Sequence, residues 1–272
     1  MAYFPERLRL AQIAAETKET NRVVVVETPG ASFRSTRYEN SSPLPVRKGD
    51  MPIIEVREMD TFTAGLLLLG PKRENQGHVA CLNMACADSA AGAWLSGSLG
   101  QEEVVRFDSQ ILWSDKKALD SECYDHYPIT GAACLWSPDV VVYRQELDPA
   151  SEQMAEYPRL EDRFVLGVIS VPAIFKPDGS SDMLSFGDSL LPEDGCTFTV
   201  MLRVLGRQNR THLVLGALGC GAFRNPPKVI ARTFKDILAE EEWRGYFDRI
   251  IFAIIDRPGG PTLAAFHEIL SN

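Results

Sequence analysis

Missing from this 272-residue sequence is any run of Lys and Arg. Its 28 basic and 37 acidic residues leave a formal net charge of −9, and no segment shows a basic helix face. Direct nucleic-acid binding is therefore not expected. No apolar stretch approaches the length needed to span a bilayer. The N-terminus MAYFPERLRLAQIAAETKET carries charges every few residues where a signal peptide would have a continuous apolar region. A soluble cytoplasmic or nuclear protein, neither secreted nor membrane-bound, is expected. Cysteine and histidine are also sparse. Cys81, Cys86, Cys123, Cys134, Cys196 and Cys220 form no CxxC pair, and the four histidines are dispersed. Neither a zinc site nor a disulfide scaffold is indicated, so no metal or cofactor is expected and the thiols read as reduced and mostly buried.

What is present is 45% apolar residues, ample for a core. Leu8, Leu10, Ile13 and Ala14 recur at helical spacing within 5–20, and RVVVVETP then reads as a short strand ended by Pro29. Residues 30–50 are polar, turn-rich and read as a loop. PIIEVREM is a strand, and DTFTAGLLLLG a helix that Asp60 or Thr61 caps and Gly70 stops. HVACLNMA is a buried strand, followed by the small-residue loop CADSAAGAWLSGSLG and a helix over QEEVVRFDSQILWSDKKAL. AACLW and DVVVYR read as two short β segments, and an acidic stretch over 146–162 leads to the strand RFVLGVISVP. Residues 175–187 read as an inserted loop. The helix TFTVMLRVLGRQ, the strand HLVL, a helix of about 16 residues over KVIARTFKDILAEEEW, the strand RIIFAIID, the turn RPGGP and the helix TLAAFHEIL complete the chain. Alternating helices and near-continuous Val/Ile/Leu strands predict one α/β domain over 1–272, a three-layer α/β/α sandwich.

Three constellations could carry chemistry. The first is LGALGCGAFRNPP, in which Gly216, Gly219 and Gly221 follow an apolar strand and precede a helix. The spacing is wrong for a dinucleotide fingerprint, and no Lys-Ser/Thr pair follows to make a P-loop. What remains is a glycine turn at a strand's carboxyl end before a helix N-terminus, a place that favours an anion but that is also common for steric reasons alone. Cys220 and Ala222 lie within it, and Phe223 is either a core residue or an aromatic wall beside a ligand. The second is Gln101-Glu102-Glu103 at the start of a helix. Ser98 and Gln101 fit a capping box and Glu102 can pair with Arg106, whereas a carboxylate at a cleft edge could donate and accept a proton. The third is Asn83, a polar amide ending a buried strand, with Asp88, Ser89, Gly92 and neighbouring small residues that permit close approach. Trp94 is there either as a core plug or as a stacking surface.

In this order the pieces resemble the macrodomain fold, and more closely the microbial-type poly(ADP-ribose) glycohydrolase family. The similarity is carried by RLRLAQIAAET, MDTFTAGLLL, CLNMACADSAAGAWLSGSLGQEE, SPDVVVYR, VLGVISVPA, VLGALGCGAFRNPPKVIARTF and RIIFAIID. The resemblance implies a mixed central sheet with an N-terminal helical extension and a cleft for ADP-ribose, free or on an ADP-ribosylated protein or polymer. It implies that residues 216–223 surround the diphosphate and that Asp60 lies near the adenine. Glu103 would protonate the departing ribose oxygen and activate water, with Glu102 on the distal ribose and Asn83, Ser89, Gly92 and Gln101 among the ligand-binding residues. The family's triple glycine, preceded by an asparagine, here reads Ser89 and then Ala91-Gly92-Ala93. That departure leaves two readings: a glycohydrolase with an altered cradle, or an ADP-ribose reader without hydrolysis.

Overall fold

The computed structural model describes residues 4–88, 90, 92–98, 100–103, 126–144, 159–173, 197–256 and 259–271, with side chains from residue 7 onward. Among them, seven strands form one sheet: β1 (Thr36–Tyr38), β2 (Ile53–Arg57), β3 (Val79–Ala85), β4 (Cys134–Arg144), β5 (Arg159–Pro172), β6 (His212–Leu215) and β7 (Arg249–Ala253). Their order is β1-β4-β5-β3-β6-β7-β2. The five strands from β5 to β2 are parallel to one another, and β4 and β1 are added antiparallel at one edge, so the sheet is mixed.

The helices α1 (Phe4–Glu27), α2 (Thr61–Leu69), α3 (Thr197–Arg207), α4 (Pro227–Leu238) and α5 (Pro261–Leu270) flank it. β3 alternates its side chains between two cores, as a strand covered on both faces must. Ala80 and Leu82 join the larger core, where Phe198 of α3, Phe234 of α4 and Phe266 of α5 pack over Phe252 of β7. Phe198 and Phe234 stack with centroids 4.2 Å apart, and Phe252 meets Phe234 edge-on at 5.1 Å. Val79 and Cys81 face the opposite core with Phe62 and Leu68 of α2. α2 starts and stops as its sequence predicts: the Asp60 carboxylate accepts from Thr63 N at 2.7 Å, and Gly70 ends the helix at φ 79°.

Four expectations are corrected. RVVVVETP is not a strand; Val23 to Val26 lie within α1. Val24 and Val25 are buried against Val141, Tyr143 and Val165, while Val23 and Val26 face solvent, so packing of one helical face overrides β-branched strand preference. AACLW and DVVVYR are not separate segments: β4 is continuous, and a bulge between Ser137 and Val140 absorbs Pro138. Residues 30–50 are not wholly loop, because Thr36–Tyr38 pairs with β4 as β1. The helix after Pro227 stops at Leu238, where the buried Trp243 folds back and its indole donates to Ile237 O at 2.5 Å. The helix expected beyond residue 103, the acidic stretch over 146–158 and the 175–187 insertion lie outside the described residues.

α1 also buttresses a loop that matters below. Leu10, Ile13 and Ala14 pack on Ala90 and Trp94, and a Cβ on Gly97 would lie 2.2 Å from Arg7 O. Trp94, 1% exposed, is thus a core plug.

One glycine of the sheet is packed tightly enough to supply a test. A Cβ on Gly167 of β5 would lie 2.1 Å from the Trp136 ring of β4. Gly167→Ala is expected to lower stability by about 1–3 kcal/mol through overpacking. Urea unfolding measures it, and an unchanged midpoint would contradict the packing described.

Candidate functional site

β3 and β6 part company at their carboxyl ends. Their ladder runs from Val79 opposite His212 to Cys81 opposite Val214, whereas β3 stays paired with β5 as far as Ala85 opposite Pro172. The carboxyl ends of parallel strands are where open α/β sheets form ligand crevices. A cleft of about 800 Å³ opens there. Its walls include Asp60 and Thr61 at the start of α2, Met84 on β3, Gln101, and the segment around Cys220, Gly221 and Arg224.

The Gln-Glu-Glu turn is stitched to the strand and loop beside it by three consecutive side chains. Gln101 Oε1 accepts from Met84 N at 2.8 Å, Glu102 Oε2 accepts from Cys86 N at 2.9 Å, and Glu103 Oε1 accepts from Ala93 N at 3.2 Å. Gln101 Nε2 also donates to Leu82 O at 2.8 Å and to Thr61 Oγ1 at 3.1 Å. Both its amide hydrogens are therefore committed within the protein, and it does not reach back to Ser98 as a capping box would require. Arg106, the other expected partner, is outside the described residues. Glu102 is buried, at 5% exposure, and Glu103 is half-buried.

Glycine makes this convergence possible. Gly92 has φ 47°, and a Cβ there would lie 2.8 Å from Glu103 Oε1 and 3.0 Å from Glu102 Oε2. A Cβ on Gly100 would lie 2.5 Å from Glu103 Oε2. The Glu103 carboxylate is thus lodged between two glycines, of which Gly100, like Gln101, lines the cleft. Ala93 sits at φ −107°, ordinary for alanine, so of 92 and 93 only the first requires glycine.

The opposite wall is the loop after β6. Gly219, at φ 76°, presses so closely on Asn225 that a Cβ would lie 2.1 Å from its Nδ2, and a Cβ on Gly216 would lie 2.5 Å from Met84 Cε. Gly221 differs, with nothing within 4 Å of its Cβ position. The N–H groups of Gly219, Gly221 and Ala222 have no acceptor among the described residues, whereas those of Cys220, Arg224 and Asn225 are taken by Ala217, Gly221 and Gly219 carbonyls. The free donors belong to the loop more than to the helix behind it, because Pro226 and Pro227 open α4 without N–H groups. Arg224, at φ 56°, is exposed beside Gly221 and forms no ion pair among the described residues. Arg224 and Gly221, the latter with an N–H lacking an acceptor among the described residues, therefore line one side of the cleft, an arrangement suited to an anion.

Burial, reinforced by the charge of Asp256, pushes the Cys220 thiol up to about 12. A thiol that stays protonated is no nucleophile at neutral pH. Asp256 itself caps α5, its Oδ2 accepting from Thr262 N at 2.7 Å and Leu263 N at 3.1 Å, so that helix N-terminus is already occupied by a carboxylate.

Of the residues singled out from sequence, Asp60, Gln101, Cys220 and Gly221 line the cleft. Glu102, Glu103 and Gly92 are brought together next to the cleft-lining Gly100 and Gln101 and are not themselves among its walls. Gly216, Gly219 and Ala222 shape or border the loop. Phe223 is half-buried and belongs to neither the cleft lining nor the described core clusters. Asn83 is fully buried beneath the site and donates to Ser170 Oγ at 2.9 Å. Ser89 is outside the described residues. Missed were Arg224, Asn225 and Asp256. The first two belong to the Phe-Arg-Asn-Pro-Pro tail, and the third is the first charged residue after an apolar strand, the usual place for a group at a sheet's carboxyl edge.

Folded protein treated with iodoacetamide at pH 8 should leave Cys220 unmodified by peptide mapping, since roughly one thiol in ten thousand would be ionised. Alkylation at the rate seen in urea would contradict the raised pKa of this half-buried thiol.

The comparisons with known proteins follow the same geometry. The chain matches solved structures of poly(ADP-ribose) glycohydrolase from Thermomonospora curvata at 26% identity, covering 96% of this chain and 99% of that one with a TM-score of 0.76. The same enzyme bound to the inhibitor ADP-HPD matches at 26% identity over 95% and 98%, with a TM-score of 0.72. The Deinococcus radiodurans enzyme in complex with ADP-ribose matches at 30% identity over 82% of this chain and 86% of that one, with a TM-score of 0.66. No curated protein sequence matches the chain. The family model described as "Microbial-type PARG, catalytic domain" matches residues 6–145, which contain most of α1, all of β3 and the Gln-Glu-Glu turn. The chain belongs to the microbial-type poly(ADP-ribose) glycohydrolase catalytic-domain family.

Proposed function

We propose that this protein hydrolyses O-glycosidic ribose linkages of poly(ADP-ribose), or of a related ADP-ribosylated substrate, with Glu103 as general acid and base. The observation that carries the reading is the convergence of Glu102 and Glu103 on Gly92 beside Gly100 and Gln101, which line a cleft whose other wall includes Gly221 and Arg224, a cation with no ion pair among the described residues. Such a cleft, at about 800 Å³, suits a dinucleotide-sized ligand. The diphosphate would take the N–H groups of Gly219, Gly221 and Ala222, with Arg224 beside it. Asp60 would lie near the adenine, Phe223 would flank the loop, and Glu102 would hold the distal ribose.

Cleavage at an anomeric carbon passes through an oxocarbenium-like state, which needs a proton on the departing oxygen and a placed water. The Glu103 carboxyl would deliver that proton as the glycosidic C–O bond breaks. The resulting carboxylate would then remove a proton from the water that attacks the anomeric carbon. Glu102, buried and held by Cys86 N, is suited to orienting a ribose hydroxyl. The altered stretch Ala91-Gly92-Ala93 keeps glycine where φ is positive and two carboxylates crowd in, which favours a retained activity over a reader that binds without turnover.

Release of ADP-ribose from poly(ADP-ribose) by the purified protein tests this. Glu103→Gln is expected to lower the rate by about 10²–10⁴-fold, the range for loss of a general acid, while calorimetric affinity for ADP-ribose stays close to the parent value. Binding with no turnover by the intact protein would overturn the reading in favour of a reader, and an unchanged rate in the variant would remove Glu103 from the chemistry.

A further inference from the structure

The gap between β3 and β6 needs a closer look at its hydrogen bonds. Carried two residues further, the register that ends with Cys81 opposite Val214 would set Gly216 opposite Asn83. In a parallel ladder the peptide groups of that one residue would donate to Leu82 O and accept from Met84 N. β6 instead leaves the sheet at Gly216 to form the glycine loop. The two groups it abandons are the ones that the Gln101 carboxamide meets, donating to Leu82 O and accepting from Met84 N, each at 2.8 Å. The remaining amide hydrogen fastens Thr61, the first residue of α2, at 3.1 Å. No charged side chain could do this: a carboxylate lacks the donors, and an ammonium or guanidinium lacks the acceptor.

Resting on the hydrolase reading above, we infer that Gln101 is a positioning residue for the reaction, a side-chain peptide that replaces the missing β6 residue and fixes the register of the turn bearing Glu102 and Glu103. Its three hydrogen bonds hold the first residue of that turn against β3 and α2. The next two side chains then fall within reach of Cys86 N and Ala93 N. With Gln101 detached, the turn is free to rotate away from β3, and Glu103 loses its seat between Gly92 and Gly100. The cleft keeps its far wall, so ligand affinity and turnover separate.

The experiment uses Gln101→Met, similar in length but without donor or acceptor, and Gln101→Glu, which keeps only the acceptor when ionised. Amide exchange at Met84, Cys86 and Ala93 is followed by NMR, normalised to core amides such as that of Ile251, together with kcat on poly(ADP-ribose) and calorimetric Kd for ADP-ribose. Expected for Gln101→Met are exchange at least tenfold faster at Cys86 and Ala93 as well as Met84, kcat at least tenfold lower, and Kd within threefold of the parent. For Gln101→Glu, the exchange ratio to the parent should return toward one as pH falls and the carboxyl regains a proton to donate. Unchanged exchange at Cys86 and Ala93 would overturn the inference, and so would a weakened Kd with kcat intact, which would make Gln101 a ligand contact. If the parent protein turns over no poly(ADP-ribose), the hydrolase reading fails and with it any role in that reaction, and the exchange data then report separately whether Gln101 orders the glutamates.

Discussion

Two parallel strands that stop pairing before they end leave backbone groups that must find other partners. In this protein that constraint falls on β3, whose Leu82 and Met84 peptide groups lose β6 just where the chain turns into its glycine loop. The same divergence creates the cleft and the exposed strand edge. A carboxamide from outside the sheet closes that edge, and the next residues along, Glu102 and Glu103, bond to Cys86 N and Ala93 N. The remaining features serve this junction: α2 contributes Thr61, the loop over 90–97 contributes Gly92 and Ala93, and α1 holds that loop in place through Trp94 and Gly97.

The glycines divide into different jobs. Gly92 and Gly100 leave room for carboxylates, Gly216 and Gly219 leave room for Met84 and Asn225, and Gly221 alone among these leaves room for something outside the protein. This division separates the two described positions of the Ala-Gly-Ala stretch. Alanine at 93 costs little at a negative φ, whereas alanine at 92 would meet both strain and two oxygens. In the proposed reading, anion binding by the loop would likewise rest on specific amides. The helix behind it opens with two prolines and has little to donate.

Much of the fold was legible because it is written locally. α2 announces its cap and stop, β3 its two-sided burial, and α4 its prolines. The valine run of α1 was not legible, since four β-branched residues favour a strand until Val141, Tyr143 and Val165 supply a face for two of them. Nor was the continuity of β4, because the bulge that accommodates Pro138 depends on its partner β5. In the site, the Gln-Glu-Glu turn and the glycine loop stood out by composition and by resemblance. The use of Gln101 could not be read, because its three partners lie 17 to 40 residues away in sequence and become neighbours only when β6 leaves the sheet. Arg224 passed unnoticed because its left-handed conformation and its lack of an ion pair among the described residues are properties of the fold.

The central claim is that the far-wall loop and the Glu102–Glu103 pair grip opposite ends of one ligand. A crystal structure of the protein soaked with ADP-ribose measures this most directly. The account predicts the diphosphate on the Gly219, Gly221 and Ala222 amides and a distal-ribose oxygen about 2.6–3.2 Å from a Glu103 carboxylate oxygen. A ribose turned out to solvent, or a diphosphate held away from that loop, would contradict it.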